Sequence, residues 1–111
     1  MFESLFGKKI YANISPLKAK ERLASGEKVL LLDVRTPEEY SEIHIPKSIS
    51  LPLAELKPGI LKIADDKNTE LIVYCQSGMR AATACSQLAA MGYTNVSCMG
   101  GINSWEYETE R

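Results

Sequence analysis

The sequence predicts an α/β domain built around a parallel β-sheet. Two apolar runs, at residues 28–34 and 70–75, are continuous rather than alternating in polarity. Such runs are typical of strands that are covered on both faces of a sheet. Segments with helix-start signals separate the apolar runs, and strands that alternate with helices favour a parallel sheet. The length of 111 residues fits one domain.

Five segments of the chain are candidate strands. The two continuous runs form the centre of the predicted sheet because they are the most apolar. Residues 11–14 are a weaker strand that suits a sheet edge. The shorter candidates are residues 48–51 and 95–99.

Capping residues mark the helices between these strands. Ser15 stands before Pro16, and Thr36 stands before Pro37, so each pair supplies an N-cap and a favourable first helical position. Glu39 follows Thr36 by three residues, which is the spacing of a capping box. The other predicted helices are residues 58–66, the alanine-rich residues 80–91 and a short segment that starts near residue 100.

The composition argues against several classes of protein. It is 45% hydrophobic and 24% charged with a net charge of −1, so it offers no basic surface for nucleic acid or a membrane. The apolar runs are too short to cross a bilayer, and residues 1–16 lack the apolar core of a signal peptide. We therefore expect a cytoplasmic protein. Near the N-terminus, Phe2, Leu5 and Phe6 either form a small apolar patch or dock on the domain.

The three cysteines indicate neither a disulfide framework nor a zinc site. They are odd in number and are separated by ten and thirteen residues, without a C-x-x-C pair. A structural zinc site needs four closely grouped ligands, and the chain has a single histidine. We therefore expect no metal and no cofactor.

Polar residues and a thiol stand at the ends of the two central strands. Asp33 and Arg35 come at the end of the first, and Cys75 comes at the end of the second. Ligands of open α/β sheets bind beyond the carboxyl ends of the strands. This edge is therefore the predicted working edge, and we expect the Cys75 thiol to be accessible there.

The residues after Cys75, QSGMR, predict an anion-binding turn between a strand and a helix. Gly78 permits a backbone conformation that other residues rarely adopt, and the helix that follows directs its first N–H groups into the same space. Arg80 adds a permanent positive charge, so N–H groups from Gln76 to Arg80 can cradle an anion. Such surroundings stabilise a thiolate, the nucleophilic form of cysteine. Taken alone, Cys75 could instead be a small buried apolar residue.

Several ordered motifs together resemble the rhodanese-like sulfurtransferases. VYCQSGMRA at residues 73–81 resembles the active-site loop of that family, and LLDVRTPEEY at residues 31–40 resembles its D-V-R-x-x-x-E-Y segment. IHIPKSISLPL is similar to its G-H-I-P-G-A segment, with Ile43 and Lys47 in place of two glycines. MGYTNV and GGINSW are similar to its C-terminal motifs. The resemblance covers about residues 14–105.

The resemblance implies a single rhodanese-like domain over residues 1–111, with its core at about 11–107. The implied fold is a central parallel five-stranded sheet flanked by helices on both faces. Cys75 would take a sulfane sulfur from thiosulfate or a protein persulfide and pass it to cyanide or a thiol through a covalent persulfide. Backbone N–H groups would hold the negative charge of the persulfide, and Arg80 would hold an anionic donor. The implied binding residues are Gln76, Ser77, Gly78, Met79 and Arg80.

Other polar and sulfur-bearing residues have weaker claims to a role. A structural role is favoured for Asp33 and Arg35, with Arg35 as a candidate for the pocket rim. His44 is expected to be a hydrogen-bonded structural residue rather than a general base. Cys85 is expected to pack in the core, and Cys98 either packs there or acts as a resolving thiol.

Two alternative functions are open at this point. Phosphatases and arsenate reductases on the same scaffold also place a cysteine and an arginine around a loop. Their loop is one residue longer, C-x5-R, and fits a tetrahedral phosphate, whereas the C-x4-R spacing from Cys75 to Arg80 suits a single sulfur. The second alternative is a module that only binds a partner or senses redox state, since a reactive thiol is easily oxidised.

Overall fold

A computed structural model describes residues 10–111 of the chain. Five strands form one sheet: β1 (Ala12–Asn13), β2 (Val29–Asp33), β3 (Ser48–Ser50), β4 (Glu70–Cys75) and β5 (Val96–Gly101). Their spatial order is β1-β5-β4-β2-β3, and every neighbouring pair runs parallel. The predicted α/β fold with a parallel five-stranded sheet is therefore confirmed. Phe2, Leu5 and Phe6 lie outside the described residues.

Four α-helices and two 3-10 turns accompany the strands in the described part of the chain. The α-helices are α1 (Pro16–Leu23), α2 (Pro37–Glu42), α3 (Leu56–Ile63) and α4 (Met79–Ala90), and the 3-10 turns are Leu53–Glu55 and Ile102–Ser104. None of the helices within residues 10–111 is long and apolar enough to cross a membrane. Helix α3 starts two residues before its predicted start at Pro58. A proline is tolerated there because the first helical turn does not need its missing N–H.

Side-chain caps set the starts of α1 and α2. The Ser15 hydroxyl accepts a hydrogen bond from the backbone N–H of Lys18 at 3.1 Å. The Thr36 hydroxyl accepts one from the N–H of Glu39 at 3.2 Å, and the Glu39 carboxylate accepts one from the N–H of Thr36 at 2.9 Å. Both halves of the predicted capping box are present. The box also determines where the Glu39 carboxylate lies.

Helices cover both faces of the sheet, as expected. On one face, α3 and α4 pack against side chains that include Leu32 and Val73. On the other face, α1 and the Ile102–Ser104 turn pack against side chains that include Leu31 and Ile72. Consecutive strand residues point to opposite faces of a sheet. Two covered faces therefore require the continuous apolar runs seen in the sequence.

The carboxyl ends of β2, β4 and β5 meet at one edge of the sheet. Asp33 is paired with Tyr74, and Cys75 is paired with Gly101. The register of β4 against β5 shifts just before Tyr74, and Gly100 in this irregular stretch has a φ of 92°. Asp33 and Cys75 thus lie on neighbouring strands at the predicted working edge.

Candidate active site

The Cys75 thiol lies at the floor of the loop that joins β4 to α4. Cys75 is 1% exposed, which corrects the expectation of an accessible thiol at the strand end. Its Sγ atom accepts hydrogen bonds from the backbone N–H groups of Gly78 at 3.0 Å and Ala81 at 3.3 Å. The thiol is buried because the loop curls back over the sulfur to make these two contacts.

Helix α4 directs its N-terminus at this sulfur. Met79 is the first residue of α4, so the N–H of Ala81 is one of the donors that the helix itself cannot satisfy. Gly78 occupies the N-cap position and has no side chain that could accept the bond, and the sulfur of Cys75 accepts it instead. The two N–H groups and the positive end of the helix dipole therefore stabilise negative charge on the sulfur.

Two glycines allow the loop to close in this way. Gly78 has a φ of 123°, in the region that residues with a side chain rarely adopt. Gly101 lies beneath the loop, where a Cβ atom would be 2.2 Å from the carbonyl oxygen of Gln76 and 2.7 Å from the Cα of Ser77. The backbone of β5 therefore supports the loop directly. The role of Gly101 was not predicted from the sequence, although two adjacent glycines at this point in the sequence were a signal for it.

Arg35 is buried beneath the loop rather than at the pocket rim. It is 1% exposed, and Asp33 is fully buried. The guanidinium donates to both carboxylate oxygens of Asp33, and the shortest contact joins Nη2 to Oδ2 at 2.7 Å. Burial by itself would lower the pKa of Arg35, but the hydrogen bonds and charge of Asp33 raise it. Because Asp33 matches its charge, the arginine can be buried there as a support for the loop.

The side chain of Gln76 connects this ion pair to the end of β5. Arg35 donates from Nη1 to Gln76 Oε1 at 3.2 Å, and Gln76 donates from Nε2 to Asn103 Oδ1 at 2.7 Å. Asn103 also donates its backbone N–H to the Gln76 carbonyl at 3.2 Å. The Gln76 side chain thus braces the loop, and a contact of its backbone N–H with substrate stays a prediction. Asn103 was missed because an asparagine in a 3-10 turn carries no local signal of this contact.

Arg80 forms an ion pair with Glu39 beside the loop. Its Nη1 donates to Oε1 at 2.8 Å and its Nη2 donates to Oε2 at 3.1 Å. The hydrogen bonds from Arg80, assisted by those from Thr36, lower the pKa of Glu39 from 4.5 to about 2. Hydrogen bonding to Glu39 in turn raises the pKa of Arg80, whose charge also interacts with Cys75. From the sequence Glu39 was assigned to capping alone, and its contact with Arg80 was missed.

The five predicted binding residues follow Cys75 directly in the chain, but their surroundings differ. Gly78 contacts the sulfur through its N–H, Arg80 is held by Glu39, and Gln76 braces the loop. The side chains of Ser77 and Met79 face outwards, and Met79 is 83% exposed. The sulfur itself is therefore contacted by backbone donors rather than by the side chains of the loop.

The sequence of the chain matches the family model of the rhodanese-like domain over residues 15–108, which is most of the chain. The chain belongs to the rhodanese-like domain family. Among relatives of this rhodanese-like chain, the thiosulfate sulfurtransferase PspE of Escherichia coli is 41% identical over 71 residues, which cover 64% of this chain and 68% of PspE. A sulfurtransferase of Allochromatium vinosum is 38% identical over 86 residues, which cover 77% of this chain and 78% of that protein.

A solved structure shows the same rhodanese-like fold. The thiosulfate sulfurtransferase from Pseudomonas aeruginosa superposes with a TM-score of 0.84 and 26% identity over 91% of this chain. The match spans 20% of that longer protein, so the likeness concerns one part of it. The predicted resemblance to rhodanese-like domains is confirmed by both the sequence and the structural matches.

The two other cysteines of this rhodanese-like domain pack in the core beside the site. Cys85 on α4 is fully buried, and Cys98 on β5 is 8% exposed. Hydrogen bonding with Cys98, together with burial, raises the pKa of the Cys85 thiol. Both belong to the same apolar cluster as Cys75, and none of the three cysteines forms a disulfide. The surroundings of Cys98 are those of a packing residue.

Ile43 and Lys47 replace two glycines of the motif that precedes β3, and the turn before β3 is formed nevertheless. Ile43 has a φ of −165°, which is extended backbone that any residue adopts. Lys47 has a φ of 74°, a region that favours glycine, so the lysine keeps the turn with some backbone strain. Between them, His44 exchanges two 2.8 Å backbone hydrogen bonds with Glu110 and stacks on the ring of Tyr40. These contacts indicate a structural role for His44.

Proposed function

We propose that this chain is a sulfurtransferase that moves a sulfane sulfur from an anionic donor to a thiol or cyanide through a persulfide on Cys75. The observation that carries the proposal is the convergence of the Gly78 and Ala81 N–H groups on the Cys75 sulfur. The relatives that are named sulfurtransferases support sulfur transfer in general. The thiol geometry supports the covalent route.

In the first half-reaction, the Cys75 thiol loses its proton to solvent and the thiolate attacks the outer sulfur of the donor. With thiosulfate, a new S–S bond forms to Sγ, the S–S bond of the donor breaks, and sulfite leaves with the bonding electron pair. The charge of Arg80 interacts with Cys75, which contributes to the raised pKa of Arg80. This positive charge offsets the negative charge that accumulates when two anions meet.

In the second half-reaction, a thiolate or cyanide attacks the outer sulfur of the persulfide. The bond between Sγ and that sulfur breaks, and its electron pair returns to Sγ, so the product is an acceptor persulfide or thiocyanate. The two N–H groups that contact Sγ also stabilise the thiolate of Cys75 as the leaving group. One site therefore serves both steps of a ping-pong reaction.

The donor is either thiosulfate or a persulfide carried by another protein. Two exposed apolar side chains, Met79 in the loop and Ile43 beside it, suit contact with a protein donor. The carbonyl of Ile43 accepts a hydrogen bond from Arg35 at 2.6 Å, which places Ile43 next to the loop.

A cytoplasmic location fits three cysteines that form no disulfide.

Intact-protein mass spectrometry after incubation with thiosulfate tests the proposal. We expect the parent protein to gain the mass of one sulfur, to lose it on addition of cyanide, and the Cys75→Ser variant to gain none. The matched control is Cys98→Ala, which removes a thiol from the same apolar cluster and should keep the mass gain. A Cys75→Ser protein that still transfers sulfur at the parent rate would show that the proposal is wrong. Rapid hydrolysis of an aryl phosphate that depends on Cys75 would instead favour the phosphatase alternative.

A further inference from the structure

The guanidinium that should receive an anionic donor is already paired with a carboxylate. Both terminal nitrogens of Arg80 donate to Glu39, at 2.8 and 3.1 Å. A two-bond contact of this kind occupies the fork that an arginine would otherwise present to a sulfonate group. Any anion that binds to Arg80 must therefore share it with Glu39.

Glu39 is held in this position by the start of α2. Its Oε1 atom accepts hydrogen bonds from the N–H and the hydroxyl of Thr36, at 2.9 and 3.1 Å. Its side chain is 31% exposed, and that of Arg80 is 36% exposed, so the pair borders solvent and a small donor can reach it. The hydrogen bonds from Arg80 lower the pKa of Glu39 to about 2, so the carboxylate is charged at neutral pH. Both the position and the charge of Glu39 are therefore set before a donor arrives.

We propose that Glu39 determines the donor selectivity of the site, because it competes with the donor for Arg80 and repels negative charge. This inference rests on the proposed sulfurtransferase function. The repulsion grows in proportion to the charge of the donor, so it opposes the dianion thiosulfate about twice as strongly as a monoanion. Glu39 therefore shifts the preference of the site from the dianion towards singly charged sulfane donors, such as persulfides and organic thiosulfonates.

Thiosulfate and methanethiosulfonate form a matched pair of donors for a test. Each carries its outer sulfur on a sulfonyl group, and they differ by one negative charge. The Glu39→Gln variant removes the charge but keeps the side-chain length and the acceptor that the capping box needs. Glu38→Gln is the control variant, since it removes one charge from an exposed residue of the same helix.

Steady-state kinetics with both donors give the first measurement. On Glu39→Gln we expect kcat/KM to rise roughly tenfold for thiosulfate and about threefold for methanethiosulfonate, in line with their charges. Glu38→Gln should leave both values unchanged. Equal rises for the two donors, or no rise for either, would contradict the inference. A fall for both donors would also overturn it, because Glu39 would then serve to position Arg80.

Binding without turnover separates this inference from the proposed function. Calorimetry gives the Kd of each donor on Cys75→Ser and on Cys75→Ser combined with Glu39→Gln, and we expect the larger gain in affinity for thiosulfate. If that gain is seen but the parent forms no persulfide, anion selection by Glu39 stands and sulfur transfer fails. If the persulfide forms but the Kd ratio of the two donors does not change, the role of Glu39 is wrong and sulfur transfer stands.

Discussion

The Sγ atom of Cys75 lies 3.3 Å from the backbone nitrogen of Ala81, where a helix-capping side chain would otherwise accept the N–H. The N-cap residue is Gly78, which donates its own N–H to the same sulfur at 3.0 Å. A serine or aspartate at this N-cap would satisfy the helix and compete with the sulfur. The glycine therefore leaves the end of the helix available to the nucleophile.

The substitution Gly78→Ala should impair sulfur transfer more than it impairs folding. The φ of 123° is unfavourable for alanine, so the loop is expected to relax and withdraw its N–H from the sulfur. Loss of one such donor typically costs on the order of 100-fold in rate, and we expect kcat/KM to fall by about that factor.

Gly26→Ala is the matched control for this substitution. Gly26 also has a positive φ, of 89°, but it lies in an exposed turn after α1 with open space around it. Both variants should lose a similar free energy of unfolding, and only Gly78→Ala should lose activity. Equal activities of the two variants would contradict the role assigned to Gly78.

Gly101→Ala should displace the whole loop. The added Cβ would lie 2.2 Å from the carbonyl oxygen of Gln76, so the backbone of one of the two segments must move. We expect a loss of about 3 kcal/mol in the free energy of unfolding, measured by urea denaturation, together with loss of persulfide formation. Gly100→Ala is the control, because a Cβ there meets open space and only the φ of 92° opposes it. A Gly101→Ala protein with parent stability would show that the loop does not rest on β5.

Asp33→Asn should destabilise the protein strongly because it leaves the Arg35 charge buried without a partner. The pair is 0% and 1% exposed with a 2.7 Å contact, and breaking such a buried pair typically costs about 3–5 kcal/mol. The control is Glu70→Gln, which removes the negative charge from the 2.6 Å ion pair between Glu70 and the more exposed Arg22. Solvent screens that pair, so its loss should be much smaller. Similar losses in the two variants, in chemical denaturation, would contradict the structural role of Asp33.

Because of the ion pair between Glu39 and Arg80, the free energy of unfolding should depend on pH in the acid range. The pKa of Glu39 is lowered from 4.5 to about 2, so its contribution to stability is complete above pH 4.5. As the pH falls from about 4.5 towards 2, the carboxylate is protonated and the contribution is lost. The difference in the free energy of unfolding between the parent and Glu39→Gln should therefore be constant from pH 5 to 7 and shrink below pH 4.5. A difference that does not change over this acid range would show that the pair does not form in solution.

Much of the fold could be predicted because its signals are local in the chain. The predicted strands at residues 28–34 and 70–75 contain β2 and β4 in full, since a strand covered on both faces must be apolar at every position. The caps at Ser15 and Thr36 were recognised because a cap and its helix are neighbours. Weaker elements were placed less well: the predicted strand at residues 11–14 is one residue longer at each end than β1.

By itself, the sequence determined the parallel sheet, the place of Cys75 at its carboxyl edge and the glycine that permits the turn after Cys75. Tertiary structure alone decided that Glu39 would reach Arg80, which lies 41 residues away, and that the Gly101 backbone would support the loop. The physical reason is the range of the interactions. Helix caps and strand patterns depend on adjacent residues, whereas these contacts depend on the register of β5 against β4 and on how α2 and α4 pack around the same sheet edge.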